Sequence, residues 1–188
     1  PSVEILTTAI EHYVRRFDRQ HGGFGQAPKF PPHQSLPLLL RVFHHTNSAL
    51  ALEMATQTLD CMARGGIYDQ LRGGFARYSV DERWLVPHFE KMLYDNAQLV
   101  IAYLEAFQVT GSVHFAEIAR ETLDYVLAEM TSDEGGFYSA QDAGEVGKEG
   151  EYYVWKQSEL RKLLTEEEFD FAKTVWDLPA EGNFEHGQ

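Results

Sequence analysis

The tripeptide GGF occurs three times, at Gly22 to Phe24, Gly73 to Phe75 and Gly135 to Phe137. Each copy follows a helical run and a polar stretch, with about two helices between successive copies. Fixed punctuation of this kind predicts stacked helical hairpins. The Gly pair permits positive φ and a close approach of backbones, and the Phe is expected to plug between neighbouring helices. If every hairpin places its loop at the same end, the three loops converge on one face, and a site is expected there.

The runs between the loops have helical periodicity. From Ser2, a candidate N-cap, to about Arg19, Val3, Leu6, Ile10, Tyr13, Val14 and Phe17 recur at helical spacing. The segment DRQHGGFGQAPKFPP, with three prolines, ends that helix. A second helix is predicted from about His33 to His45, with Pro37 tolerable in its first turn or at a kink. A third, capped by Asn47 or Ser48, carries Leu52, Ala55, Leu59 and Met62 and closes at Gly65 and Gly66.

Phe89 to Val109 is the longest helical signal and is apolar on more than one face, leaving Lys91, Asp95, Gln98 and Glu105 as a narrow polar stripe. An amphipathic helix follows from about Val113 to Met130. After a Gly-rich acidic loop, Tyr152 to Trp155 is expected to form a short strand. Two helices end the chain, one over about Gln157 to Leu164 and one to about Leu178 that Thr165 and Glu168 start as a capping box. The fold class expected is all-α, built of antiparallel helical hairpins in one domain over residues 1–188.

Composition excludes some partners. The net charge of -13 disfavours nucleic acid and anionic membranes, but not a neutral sugar. No run of about 18 apolar residues is present to span a bilayer. The single cysteine, Cys61, lies in an apolar helical run and reads as a buried structural thiol, which points to a reducing, cytoplasmic setting. No CxxC, HExxH, P-loop or Rossmann glycine pattern occurs, so no zinc, nucleotide or NAD cofactor is expected. The chain starts at Pro1 and ends in GNFEHGQ, and is expected to be a fragment of something longer.

The stretch from Arg64 to Asn96 concentrates rings and charges that packing alone does not call for. His88 is the candidate general acid or base, with Glu90 and Asp95 beside it at the start of the long helix. The competing readings are a helix cap for His88, a helix-dipole role for Glu90 and a surface pair of Asp95 with Lys91. Arg77, Tyr78, Asp81 and Trp84 form a cluster of the kind that holds a sugar, against loop packing with Arg77 paired to Asp81. Tyr68 and Asp69 have the same ambiguity. Asp142, Glu145, Glu149 and Glu151 supply carboxylates in the third loop, and glycoside hydrolysis needs two at a set separation. Lys29 and Phe30 either line the same face from the first loop or, as the flanking prolines favour, pack between them, and His44 and His45 are read as helix-end residues.

The strings GGFGQAPKFP, GGIYDQLRGGFARYSVDERWLVPHFEKMLYDNAQL and GGFYSAQDA with EGEYYVW resemble the helical part of the spermatogenesis-associated protein 20 and YyaL family. In that family an N-terminal thioredoxin-like domain precedes an α/α toroid related to N-acylglucosamine 2-epimerases and six-hairpin glycosidases. The resemblance implies about half of a toroid here, without the thioredoxin-like domain. It also implies an exposed apolar edge that self-association or the missing C-terminal half would cover. The function it implies is a carbohydrate-active site with a small sugar ligand. That site is either epimerase-like with His88 as acid or base, or hydrolase-like with Asp142 and a second carboxylate. The rival is a non-catalytic ligand-binding or assembly module of a larger protein.

Overall fold

The computed structural model describes residues 3–145, 148–176 and 178–182. Where one domain over residues 1–188 is expected, the chain divides into two compact units, Pro1–Ala143 and Gly144–Gln188. Ser2, the candidate N-cap, lies outside the described residues.

The first unit begins with α1 (Val3–Arg16), followed by two helical hairpins, α2 (Ser35–Thr46) with α3 (Ala49–Arg64) and α4 (Leu93–Thr110) with α5 (Val113–Glu129). Two-residue connections turn each hairpin, so its helices run antiparallel. Asn47 and Gly111 take left-handed φ values of 55° and 71° to end α2 and α4, and Ser48 caps α3 by accepting from the Ala51 N–H. Pro37 sits in the first turn of α2, where its missing N–H costs nothing. Leu36, Leu39, Leu59, Met62, Leu99, Tyr103 and Phe115 are among the side chains that form the core. Tyr103 is fully buried and donates its hydroxyl to the Leu59 carbonyl at 2.8 Å, tying α4 to α3.

The long helix starts at Leu93, four residues later than its periodicity predicts. The backbone before it is drawn into two small antiparallel ladders. β1 (Tyr78–Ser79) pairs with β2 (Pro87–His88), and β3 (Lys91–Met92) with β4 (Ala140–Gln141). His88 and Glu90 therefore precede the helix, and Asp95 alone of the three is in its first turn.

The first two GGF loops share one construction. Asp18 and Asp69 each accept, on Oδ1, the N–H groups two and three residues ahead, and on the main-chain oxygen the N–H of the first Gly. A buried lysine closes each loop. Lys29 reaches Asp18 and the Gly22 carbonyl, while Lys91 reaches Asp69 at 2.9 Å and the Gly73 carbonyl at 3.0 Å. Each amine faces a ring, Trp84 for Lys29 at 5.5 Å and Tyr125 for Lys91 at 4.3 Å. A Cβ on Gly23 would stand 2.6 Å from the Trp84 ring, and one on Gly74 2.4 Å from the Tyr125 ring. Close approach, as well as positive φ, fixes glycine there.

The third loop turns one residue sooner, from Ser132 to Gly135, with positive φ at Gly135 and not at Gly136. Ser132 replaces the Asp, nothing lies within 4 Å of a Cβ on Gly135, and Phe137 is 57% exposed where Phe75 is buried. Phe137 therefore does not plug between helices. Ile101, Leu104, Leu123 and Leu127 on α4 and α5 are also exposed.

In the second unit α6 (Gln157–Leu163) and α7 (Glu166–Val175) lie side by side, and Thr165 with Glu168 forms the capping box that starts α7. Phe169 and Ala172 are its buried residues. Tyr152 to Trp155 does not form a strand, because Tyr153 and Val154 both turn back to the Gly150 carbonyl. No helix among the described residues is long and apolar enough to cross a membrane.

Gly74→Ala is expected to cost about 3 kcal/mol or more, through collision with a buried ring at φ +81°. Gly135→Ala, with open space around it, should cost only about 1 to 2 kcal/mol for its positive φ. Urea denaturation of the two variants followed by circular dichroism checks the contrast.

Candidate active site

The two locked loops and the two ladders bring one group of polar side chains together. Lys29 and Ser79 exchange both main-chain hydrogen bonds, so the loop after α1 is stitched to β1. Tyr78 and His88 are partners across β1 and β2, and their rings stack at 4.8 Å with planes 15° apart. The exposed Phe30 ring packs on Tyr78 at 4.8 Å. Arg77 Nη1 donates to Glu90 Oε2 at 2.8 Å, and His88 Nε2 lies 4.0 Å from the same oxygen.

Asp95 is the unusual member. It is 3% exposed, and its Oδ2 has no hydrogen-bond partner. Its Oδ1 lies 3.5 Å from Nδ1 of His33, which is also buried without a hydrogen-bond partner. A carboxylate in the first turn of a helix is ordinarily favoured. Burial outweighs that here and pushes Asp95 up to about 6, with Arg77 opposing the rise and Glu90 adding to it. Burial also lowers His33. Burial thus moves the acid up and the imidazole down, so their proton affinities shift toward each other.

Other expected site residues are placed differently. Trp84 is fully buried at a left-handed φ of 65°, and its indole N–H donates to the His21 carbonyl. Asp81 accepts from the N–H groups of Arg83, Leu85 and Val86, so Arg77 pairs with Glu90 instead. Tyr68 is buried and donates to Glu121, and Asp69 is held by Lys91. That same bond removes the expected Lys91–Asp95 surface pair, because Lys91 points into the second loop and is buried. Asp142 is exposed just beyond β4, and Glu145, Glu149 and Glu151 are exposed in the second unit. His44 and His45 occupy the last turn of α2. Cys61 is half-buried, and burial raises its thiol.

Sequence reasoning missed His33. A signal was present: His33 stands four residues after Lys29, as Asp95 stands four after Lys91. The two residues that meet thus stand at the same offset from the two loop-closing lysines, His33 before α2 and Asp95 in the first turn of α4. Among the described residues, no three His, Cys, Asp or Glu side chains are grouped to hold a metal ion.

Helical hairpins joined by repeating glycine loops, with polar side chains gathered at the loops, define an α/α-toroid protein. Its fold matches the cellobiose 2-epimerase of Bacillus thermoamylovorans, with TM-score 0.65 and 15% identity over 74% of this chain and 40% of that one. It also matches a D-mannose isomerase, with TM-score 0.58 and 17% identity over 83% and 41%. No protein-family model matches. The chain belongs to the spermatogenesis-associated protein 20 family. It is 46% identical over 160 residues to the protein of that name from Homo sapiens, covering 80% of this chain and 20% of the relative. It is 33% identical over 201 residues to uncharacterized protein B0495.5 of Caenorhabditis elegans, covering 97% of this chain and 27% of that one.

Because the folded protein holds a proton on Asp95 more tightly than the unfolded chain does, stability falls as pH rises from 3.8 to about 6. Asp95→Asn should therefore stabilise the protein at pH 8, by on the order of 1 to 3 kcal/mol. The gain should fade below about pH 4, where both states bind the proton. Urea denaturation of both proteins at the two pH values tests this.

Proposed function

We propose that the face formed by Phe30, Arg77, Tyr78, His88, Glu90 and Asp95 is a carbohydrate-active site of the epimerase or isomerase type. The observation that carries the reading is Asp95, a buried carboxyl with an oxygen that no protein group satisfies. Such a group lowers the stability of the fold and is explained by a ligand that uses it. Likeness of fold to a sugar epimerase and a sugar isomerase supports the substrate class, as does a stack of rings suited to the apolar face of a sugar.

Both reaction types begin by breaking a C–H bond next to a carbonyl. His88 takes that proton, the C–H electron pair becomes the C=C bond of an enediol, and the carbonyl π pair takes the Asp95 proton to form O–H. Returning the carbon proton to the opposite face inverts the centre, and returning it to the neighbouring carbon moves the carbonyl. Glu90, held by Arg77, faces the imidazole from 4.0 Å.

The test is a panel of mono- and disaccharides, scored by thermal shift and by NMR exchange of the sugar C2 proton in D2O. A bound sugar at ten times its Kd should raise Tm by about 3 to 6 °C. His88→Ala and Asp95→Asn should abolish exchange. No shift and no exchange across the panel would replace this reading with that of a non-catalytic module.

A further inference from the structure

The loop that carries His33 is built as firmly as the helix that carries Asp95. Lys29 pins it below Gly22, its main chain is paired with Ser79, and the Pro32 carbonyl accepts the first N–H groups of α2 from Ser35 and Leu36. Little freedom remains to His33 between these anchors. Its ring brings Nδ1 to 3.5 Å from Asp95 while the side chain stays 21% exposed, against 4% for Asp95. A carboxyl as buried as Asp95 has little direct access to bulk water, and the imidazole beside it has more.

We propose that His33 is a positioning residue for Asp95, orienting its carboxyl and connecting its proton to solvent, so that the ligand oxygen engages Asp95 Oδ2 while His33 acts from the Oδ1 side. The role rests on the sugar-site reading above. The accounting is simple. When Asp95 gives its proton to a ligand oxygen, its O–H bond breaks and a ligand O–H bond forms. The carboxylate left behind is stabilised by an imidazole able to take a proton at its exposed edge from hydronium or a buffer acid, which is left as water or the buffer base, and to share it. When the ligand O–H ionises again, the proton returns to Asp95. No oxidant or further reactant is needed.

The charged and titratable groups that act on Asp95 come from four places. His33 lies before α2, Arg77 before β1, Glu90 between β2 and β3, and Tyr94 on α4 itself. Replacing His33 leaves the other three in place, so a change in Asp95 can be assigned to the imidazole.

The experiment is a carbon-13 NMR titration of the Asp95 carboxyl in the ligand-free chain, for the wild type, His33→Phe and His33→Gln. In the wild type, the Asp95 carboxyl and the His33 ring should report shared inflections, as coupled groups do. In both variants the coupled inflection should vanish, and in His33→Phe the Asp95 midpoint should rise by about half a unit or more, or about threefold in proton affinity. His33→Gln, which keeps a polar side chain, guards against a variant that fails to fold. An Asp95 titration unchanged in both variants overturns the proposal.

The second arm is the pH profile of sugar C2 exchange. His33→Gln should displace the alkaline limb set by Asp95, which must be protonated to act, whereas a packing role would scale the whole profile. Scaling without displacement overturns the role. If no sugar exchanges with the wild type while the NMR coupling is present, the sugar-site reading fails and the Asp95–His33 pair stands on its own.

Discussion

The arrangement of the first unit depends on a buried lysine closing an Asp-x-x-x-Gly-Gly-Phe loop, made twice. Burial alone would push Asp69 up, yet Lys91 and the N–H donors of Leu71 and Arg72 bring it below the usual carboxylate range. Burial holds Lys91 below its ordinary value, against the pull of Asp69. Each charge is thus tolerated because of the other. Buried pairs contribute little net stability compared with apolar packing, but removing one partner costs about 3 to 5 kcal/mol. What such a pair supplies is position. The amine must meet a carboxylate, a glycine carbonyl and an aromatic face at once, and few placements of the loop satisfy all three.

That precision is passed to the site through chain connectivity. Lys29 is followed directly by Phe30 and, four residues on, by His33; Lys91 is preceded by Glu90 and followed at the same distance by Asp95. Each lysine buried under a glycine pair therefore fixes the main chain from which the neighbouring polar groups project. β1 and β2 then close the gap between the loops, because Ser79 pairs with Lys29 and Tyr78 with His88. The site is assembled from short extended segments held at both ends, a more rigid support than free loops provide.

The fold was legible because its signals are local and repeated. Helical periodicity, the Ser48 cap, Pro37 in a first turn and the capping box at Thr165 each depend on residues within a few positions of one another. The errors lie where distant pairing overrode local preference. Leu93 and not Phe89 starts α4, because Lys91 and Met92 pair with Ala140 and Gln141, about fifty residues away. Helical spacing also puts Lys91 one turn from Asp95, and it cannot reveal that the lysine is taken by Asp69. Trp84, Tyr68 and Asp81 have the composition of a ligand-binding cluster, but composition does not tell a ring that stacks on a ligand from one that covers a glycine. His33 was missed because proline-rich flanks suggest packing, although its offset from Lys29 matches that of Asp95 from Lys91.

The third loop separates what the architecture needs from what the site needs. It keeps a glycine turn and a bridge, between Thr131 and Phe137, yet the turn is one residue shorter, Ser132 stands in place of the aspartate and the phenylalanine is exposed. The motif by itself therefore does not require the charged lock. Where the lock is present, the residue four places beyond the lysine is a titratable group carried into the shared face, and the two such residues meet at 3.5 Å. A device serving only to join hairpins gains nothing from ending beside an imidazole whose Nδ1 and a carboxyl whose Oδ2 lack hydrogen-bond partners. Stability alone would favour apolar side chains at both positions, as it does at Phe75 and Leu99 nearby in the core. The coincidence of two rigid anchors with two poorly satisfied polar atoms is the physical argument that Asp95 and His33 are there to meet something else.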